Sequence, residues 1–117
     1  MSKDDLVRLR HMLDSSMEAV ALIHGKTRAD LDTNRVISLA LVRLLEIVGE
    51  AAIKVTTATR HQTPNIPWSQ IVSLRHRLIH GYDTINMDIF WKILADDLPA
   101  LIQELEKIKY PEIGKSR

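Results

Sequence analysis

Residues 34–60 limit the fold more than any other stretch, because apolar side chains cover nearly the whole circumference of the helix predicted there. Four polar residues recur three or four positions apart and form one narrow stripe, namely Arg43, Glu46, Glu50 and Lys54. A helix of this kind lies at the centre of a bundle or in a subunit interface. The rest of the chain must therefore supply helices that cover it.

The first of these helices is predicted from about Lys3 to His24. Ser2 and Asp5 have the spacing of a capping box, and Gly25 stands where a glycine often ends a helix. No window of the sequence shows the alternating pattern of a strand bounded by turns. The chain is therefore predicted to be all-α.

Two further helices complete the predicted bundle. The third begins at Pro67, which suits a first helical turn, and runs to about His80. The fourth begins near Met87. Pro99 should kink it, or restart it with Asp96 or Asp97 as the cap.

Size and composition predict one helical domain over residues 1–110, followed by a frayed tail over residues 111–117. The chain has no cysteine, which excludes thiolate chemistry and fits a cytoplasmic protein. Its acidic start is unlike a signal peptide, and no apolar run is long enough to span a membrane. The net charge is +1, so any grip on nucleic acid must come from a local cluster.

Such a cluster stands at residues 75–82, which contain two Arg, two His and one Tyr. On a continuous helix, Arg75 and Tyr82 fall close to one line, and His76 and His80 are four positions apart. The long side chains of Arg75 and His80 could meet over one patch. That patch would combine a fixed cation with a group that titrates near neutral pH.

This pairing suits the cleavage of RNA without a metal. An imidazole can move the protons, and a guanidinium can hold the phosphate oxygens. One histidine cannot be the base for the attacking 2′-hydroxyl and the acid for the leaving 5′-oxygen at the same time. Two copies of the site across a two-fold axis could supply both groups, which favours a homodimer. Glu50 or Glu46 could face Arg75 and orient the site, or could simply form ion pairs along its own helix.

Other interpretations remain open at this stage. His76 and His80 have the spacing of a zinc-binding pair, although Arg77 stands where the zinc-peptidase motif has Glu. The cluster could also be a solvated polar face packed by Trp68, and Tyr82 could be a core tyrosine. A helical module that binds a nucleotide, RNA or a partner without catalysis is the alternative function.

The sequence from Arg75 to Tyr82 resembles the R-x4-H-x-Y signature of HepT-like HEPN ribonuclease toxins. In that family a polar residue, often Asn, follows the Arg, and here it is His76. The segment from Glu46 to Ala51 is similar to the family's E-x-x-G-E-A. Pro67-Trp68, Phe90-Trp91-Lys92-Ile93 and Asp97-Leu98-Pro99 also match, so the similarity covers nearly the whole chain.

The resemblance implies a HEPN up-and-down bundle of four to five helices that forms a homodimer. It implies a metal-independent endoribonuclease toxin that cleaves tRNA or mRNA and needs no cofactor. Arg75 and His80 match the catalytic positions, and His76 takes the polar position and could assist. The usual partner is a minimal nucleotidyltransferase antitoxin, similar to MntA, which transfers AMP to the motif tyrosine, here Tyr82.

Overall fold

The computed structural model describes residues 1–81 and 84–111, with side chains described for all of these except 79–81. The predicted all-α class is confirmed. The helices are α1 (Lys3–Leu22), α2 (Arg28–Thr33), α3 (Arg35–Ile53), α4 (Thr57–Gln62), α5 (Trp68–Val72), α6 (Leu74–Leu78), α7 (Met87–Lys92) and α8 (Leu98–Glu106). A short antiparallel pair, β1 (Ile79–Gly81) and β2 (Thr84–Ile85), joins α6 to α7. Apart from Pro111, the tail predicted to fray lies outside the described residues.

The core lies between α1, α3 and α8, and α3 also packs against α5 and α6. Its fully buried side chains include Leu9, Met12, Leu41, Leu45, Val48, Phe90, Leu94 and Leu105. The opposite face of α3 is open, because Val36, Leu39 and Ile53 are 78%, 54% and 60% exposed. The helix therefore packs into the bundle on one side, and its open side is mixed, because the charged residues Arg43 and Glu50 are exposed there beside these apolar residues. No helix within the described ranges is long and apolar enough to cross a bilayer.

The start of α1 keeps only half of the predicted capping box. The Ser2 hydroxyl oxygen accepts a hydrogen bond from the Asp5 N–H at 3.1 Å. The Asp5 carboxylate accepts no hydrogen bond from the Ser2 backbone N–H, which the full box requires, and it accepts hydrogen bonds from Thr56 and Thr59 instead. At its other end α1 stops at Leu22, and Gly25 follows with a φ of 74°, the left-handed conformation that favours glycine.

The helix predicted over residues 34–60 is two helices, which is a correction to the sequence reading. The first helix, α3, ends at Ile53, and α4 begins at Thr57. The guanidinium of Arg60 donates hydrogen bonds to the carbonyls of Ala52, Ile53 and Val55, so it caps the end of α3. This cap satisfies carbonyls that a continuous helix would have paired with later N–H groups.

The helix predicted from Pro67 to His80 is also interrupted. It breaks at Ser73, whose hydroxyl donates to the carbonyl of Ser69 at 2.8 Å, a local bond that competes with the helical ladder. It ends at Leu78, so His80 lies on β1 and not on the helix. The helical wheel is therefore wrong for residues 79–81, and the predicted alignment of Arg75 with Tyr82 falls on a residue outside the described part.

Pro99 has the predicted effect on the last helix, by a route that the sequence did not specify. A π-helical turn over Ile93–Asp97 separates α7 from α8, and the Leu98 N–H donates to the Ile93 carbonyl. The wider turn accommodates a proline that has no N–H to donate. Asp97 precedes α8 as expected, but its side chain makes no capping bond.

Candidate functional site

Arg75 lies on α6, a helix of only five residues that is anchored by two buried leucines. Leu74 and Leu78, four positions apart, point into the core, and this leaves Arg75 and His76 exposed. Among the described residues Arg75 has no carboxylate or carbonyl partner. Its guanidinium is thus available to an external anion.

A cleft of about 160 Å³ separates α6 from α3, and Arg75 stands on its wall. The lining residues are Val42, Leu45, Glu46, Gly49, Glu50, Ile53, Val72, Leu74, Arg75 and Leu78. Most of these are apolar, and the charged groups are the Arg75 guanidinium on one side and two glutamates on the other. A largely apolar cleft with a few convergent polar groups is the usual form of a binding site.

Gly49 lies on the α3 side of the cleft, where two other helices approach it closely. A Cβ added to this buried glycine would lie 3.5 Å from the Ile71 carbonyl oxygen and 4.0 Å from the Leu74 Cβ. These are ordinary contact distances, so α5 and α6 lie directly against the glycine without requiring it sterically.

The two glutamates of the cleft are held by one arginine of their own helix. Arg43 Nη1 lies 3.2 Å from Glu50 Oε1 and 4.0 Å from Glu46 Oε1. Both glutamates face the cleft that Arg75 lines, as the sequence suggested, although neither forms an ion pair with Arg75 within the described residues. The exposed pairs contribute at most about 1 kcal/mol each, so the side chains are free to change partners.

The other basic residue of α6 has a different role. Arg77 Nη2 lies 3.4 Å from Asp97 Oδ2, and both side chains are about 30% exposed. Arg77 is therefore tied to the π turn rather than presented to the cleft. The sequence reading gave Asp97 only a capping role and missed this contact.

The remaining candidates lie beyond α6. His80 is the middle residue of β1, where Ile79 pairs with Ile85 and Gly81 with Thr84. The Asn86 N–H donates to the Leu78 carbonyl at 2.9 Å, which brings the residue before α7 next to the end of α6. The side chain of His80 and the whole of Tyr82 lie outside the described part, so the meeting of Arg75 with His80 stays a prediction.

Comparison with known proteins identifies the family. Residues 12–108 match the family model described as Ribonuclease HepT-like. A candidate RNase of Methanocaldococcus jannaschii is 35% identical over 107 residues, which are 91% of this chain and 98% of that protein. A candidate ribonuclease HepT of Thermococcus cleftensis is 32% identical over 101 residues, or 83% and 92% of the two chains.

A third relative, a candidate RNase of Caldanaerobacter subterraneus, is 30% identical over 104 residues, or 89% of this chain and 93% of its own. No solved structure matched the chain. The family model covers most of the helical bundle, including the cleft, α6 and the Arg75–Tyr82 stretch. The chain belongs to the HepT-like family of HEPN ribonucleases.

Proposed function

We propose that this protein is the toxin of a HEPN/nucleotidyltransferase toxin–antitoxin pair, an endoribonuclease that cleaves tRNA or mRNA in the cytoplasm without a metal ion. One observation carries the proposal: Arg75 is an exposed guanidinium, unpaired among the described residues, on the wall of a cleft between α3 and α6. A cation that no internal carboxylate neutralises is the group that a phosphodiester requires. The family and its relatives, named as candidate RNases, support the same activity.

The proposed chemistry divides the reaction between the residues of the motif. Arg75 holds the non-bridging oxygens of the scissile phosphate and stabilises the charge that develops there. His80 takes the proton from the attacking 2′-hydroxyl or gives one to the leaving 5′-oxygen. His76, exposed beside Arg75, assists in the polar position, and Glu50 on the facing helix orients the imidazole. The products are a 2′,3′-cyclic phosphate and a 5′-hydroxyl.

We further propose that the active form is a homodimer. The open face of α3 exposes Val36, Leu39 and Ile53, and it runs beside the cleft to which Ile53 also belongs. A second copy related by a two-fold axis would cover these side chains with the same face. It would also bring a second set of histidines to the phosphate, which supplies both the base and the acid.

The proposed regulation is AMP transfer to Tyr82 by a minimal nucleotidyltransferase antitoxin. Tyr82 follows His80 by two positions, so an adenylyl group there would add bulk and negative charge close to the proposed phosphate site. An anion at that place repels the RNA backbone and competes for Arg75.

Cleavage of total RNA in EDTA tests the central proposal. The purified parent should produce fragments that end in 2′,3′-cyclic phosphate, and Arg75→Ala and His80→Ala should each abolish them without changing the circular dichroism spectrum. Arg10→Ala and His61→Ala, which remove the same groups from α1 and α4, are the matched controls and should cleave like the parent. Full cleavage by Arg75→Ala would refute the assignment, and RNA binding by the parent without any cleavage would favour a non-catalytic module.

A further inference from the structure

Asp97 occupies a position where the helical pattern demands an apolar residue. It lies four residues after Ile93 and four before Leu101, which are 1% and 4% exposed. In a regular helix this spacing would direct the carboxylate at the core. Burying a carboxylate among core residues costs free energy unless a cation pairs with it.

Asp97 is the last residue of the π turn over Ile93–Asp97, and two cations pair with its carboxylate there. Asp97 Oδ2 lies 3.4 Å from Arg77 Nη2, and Asp97 Oδ1 lies 3.0 Å from Lys92 Nζ. Lys92 ends α7, directly before the π turn, and its side chain is 60% exposed. Arg77 belongs to α6, and its side chain is 29% exposed. The contact with Arg77 is thus the more buried of the two, and it joins elements twenty residues apart.

The helix α6 depends on contacts of this kind for its orientation. Five residues cannot form a stable helix alone, because nucleation costs more than one turn returns. Its N-terminal side is broken at Ser73, and its C-terminal side passes directly into β1. Leu74 and Leu78 fix which face is buried, and the Arg77–Asp97 contact then limits rotation about that anchor.

We propose that Asp97 is a positioning residue for the ribonuclease site. Through Arg77 it fixes the orientation of α6, which carries Arg75 on one side and leads into His80 on the other. This inference rests on the proposed catalytic assignment of Arg75. It predicts that the carboxylate contributes to the rate of the chemical step although it is itself repulsive to RNA.

The sign of the effect separates this role from simple electrostatics. By charge alone, Arg77→Gln should weaken RNA binding, and Asp97→Asn should strengthen it. If the pair positions α6, both substitutions should lower kcat, each by roughly tenfold or more, because small displacements of a catalytic group have large effects on the rate. The double variant should then be no slower than the slower single variant, because both break one contact.

The experiment measures kcat and KM separately on a labelled synthetic RNA that carries a cut site mapped from total RNA, with thermal unfolding in parallel. Glu104→Gln is the matched control: it breaks the Glu104–Lys107 pair of 2.8 Å on α8, which does not involve α6. Lys92→Gln removes the other cation of Asp97 without touching α6. Both controls should keep kcat within about twofold of the parent, and Arg77→Lys should retain more activity than Arg77→Gln.

Three results would overturn the inference. They are an unchanged kcat in Asp97→Asn, opposite effects of the two substitutions on KM alone, and a loss in Lys92→Gln equal to that in Asp97→Asn. The Arg75→Ala variant distinguishes this failure from failure of the proposed function. If Arg75→Ala is inactive while Asp97→Asn is fully active, only the positioning role is wrong; if Arg75→Ala is active, the site itself is wrong.

Discussion

Asp5 in the first turn of α1 accepts a hydrogen bond at 3.1 Å from the backbone N–H of Thr56, 51 residues away. The same carboxylate accepts the hydroxyl protons of Thr56 and Thr59, and its residue is only 2% exposed. One buried anion therefore holds the start of α4 against α1 and fixes where the long apolar segment is divided.

We expect Asp5→Asn to lower the free energy of unfolding by about 2 kcal/mol at pH 7, since hydrogen bonds to a charged group are worth more than neutral ones. Urea denaturation measures this. Asp4→Asn, which removes an exposed carboxylate from the same turn, is the control and should cost no more than about 0.5 kcal/mol, the usual contribution of such a charge at a helix N-terminus. Equal stability of Asp5→Asn and the parent would show that the buried network contributes little.

The same carboxylate should make stability depend on acid. Burial raises the pKa of Asp5, but the hydrogen bonds from Thr56 and Thr59 outweigh burial and hold it below its usual value of 3.8. The contribution is therefore present above about pH 4 and is lost as the pH falls through the lowered folded pKa. The stability difference between the parent and Asp5→Asn should shrink as the pH is lowered below about 4. A difference that stays constant over this range contradicts the assignment.

Gly49→Ala should stabilise the protein by as much as about 1 kcal/mol, the helix-propensity cost of a glycine within a helix. The added methyl group would meet the Ile71 carbonyl oxygen at 3.5 Å, which is an ordinary contact. The expected rise in melting temperature is a few degrees. Gly25→Ala is the contrasting variant, because a φ of 74° strains any side chain, and it should lower the melting temperature.

The sequence predicted the bundle and the break at Pro99, but not the breaks after Ile53 and at Ser73, and particular residues show why. Apolar periodicity is local information, so α1 was predicted almost to its ends, and the starts of α3 and α7 were predicted closely. The end of α3 was not, because the helix stops at Ile53 and not near Arg60. The break after Ile53 depends on Asp5 and Arg60, whose partners are set by the tertiary fold. The helix that contains α6 was predicted to continue to about His80, although it ends at Leu78. A helical wheel does not represent the pairing of β1 with β2, which replaces the helix there.

The candidate site was predictable to a similar degree. The concentration of Arg and His in residues 75–82 indicated a candidate site, and Arg75, Glu46 and Glu50 do line one cleft. The meeting of Arg75 with His80 stays a prediction. The contact of Asp97 with Arg77 was missed because it crosses twenty residues of the sequence. The sequence does show that Asp97 is a charged residue on an apolar stripe. The residue also belongs to the segment Asp97-Leu98-Pro99 that resembles the family.

Co-expression with a minimal nucleotidyltransferase should add adenylyl groups to Tyr82, measured by mass spectrometry of the intact protein and its peptides. Tyr82→Phe should remove the modification. Tyr110→Phe, the chain's other tyrosine, should not, since the Tyr110 hydroxyl donates to the Leu105 carbonyl at 2.8 Å and burial raises its pKa to about 12. An inhibited complex whose Tyr82 is unmodified would refute this mode of regulation.

Leu39→Asp should convert the proposed homodimer to monomers, as measured by sedimentation velocity. Leu39 is 54% exposed in the single chain, so a charge there costs the isolated fold little, whereas in a covered face the same charge would be buried without a partner. Met17→Asp is the control, because Met17 is 47% exposed and belongs to α1 rather than to α3. A Leu39→Asp protein that keeps the mass of the parent, or a parent that is itself a monomer, contradicts a dimer formed through α3.

Mixing the two inactive variants then tests whether the subunits share the chemistry. If one phosphate site draws Arg75 from one subunit and His80 from the other, a heterodimer of Arg75→Ala and His80→Ala contains one complete site and one site that lacks both groups. The mixture should regain as much as about a quarter of the parent activity, because random exchange makes half of the dimers mixed and each has one working site. If each subunit supplies both groups to its own site, or if one shared phosphate needs His80 from both subunits, the mixture should stay as inactive as the separate variants. An equal mixture of the parent with His80→Ala separates these two cases. Its activity should be about a quarter of that of the same amount of parent if both histidines serve one phosphate, and about half if the sites are independent.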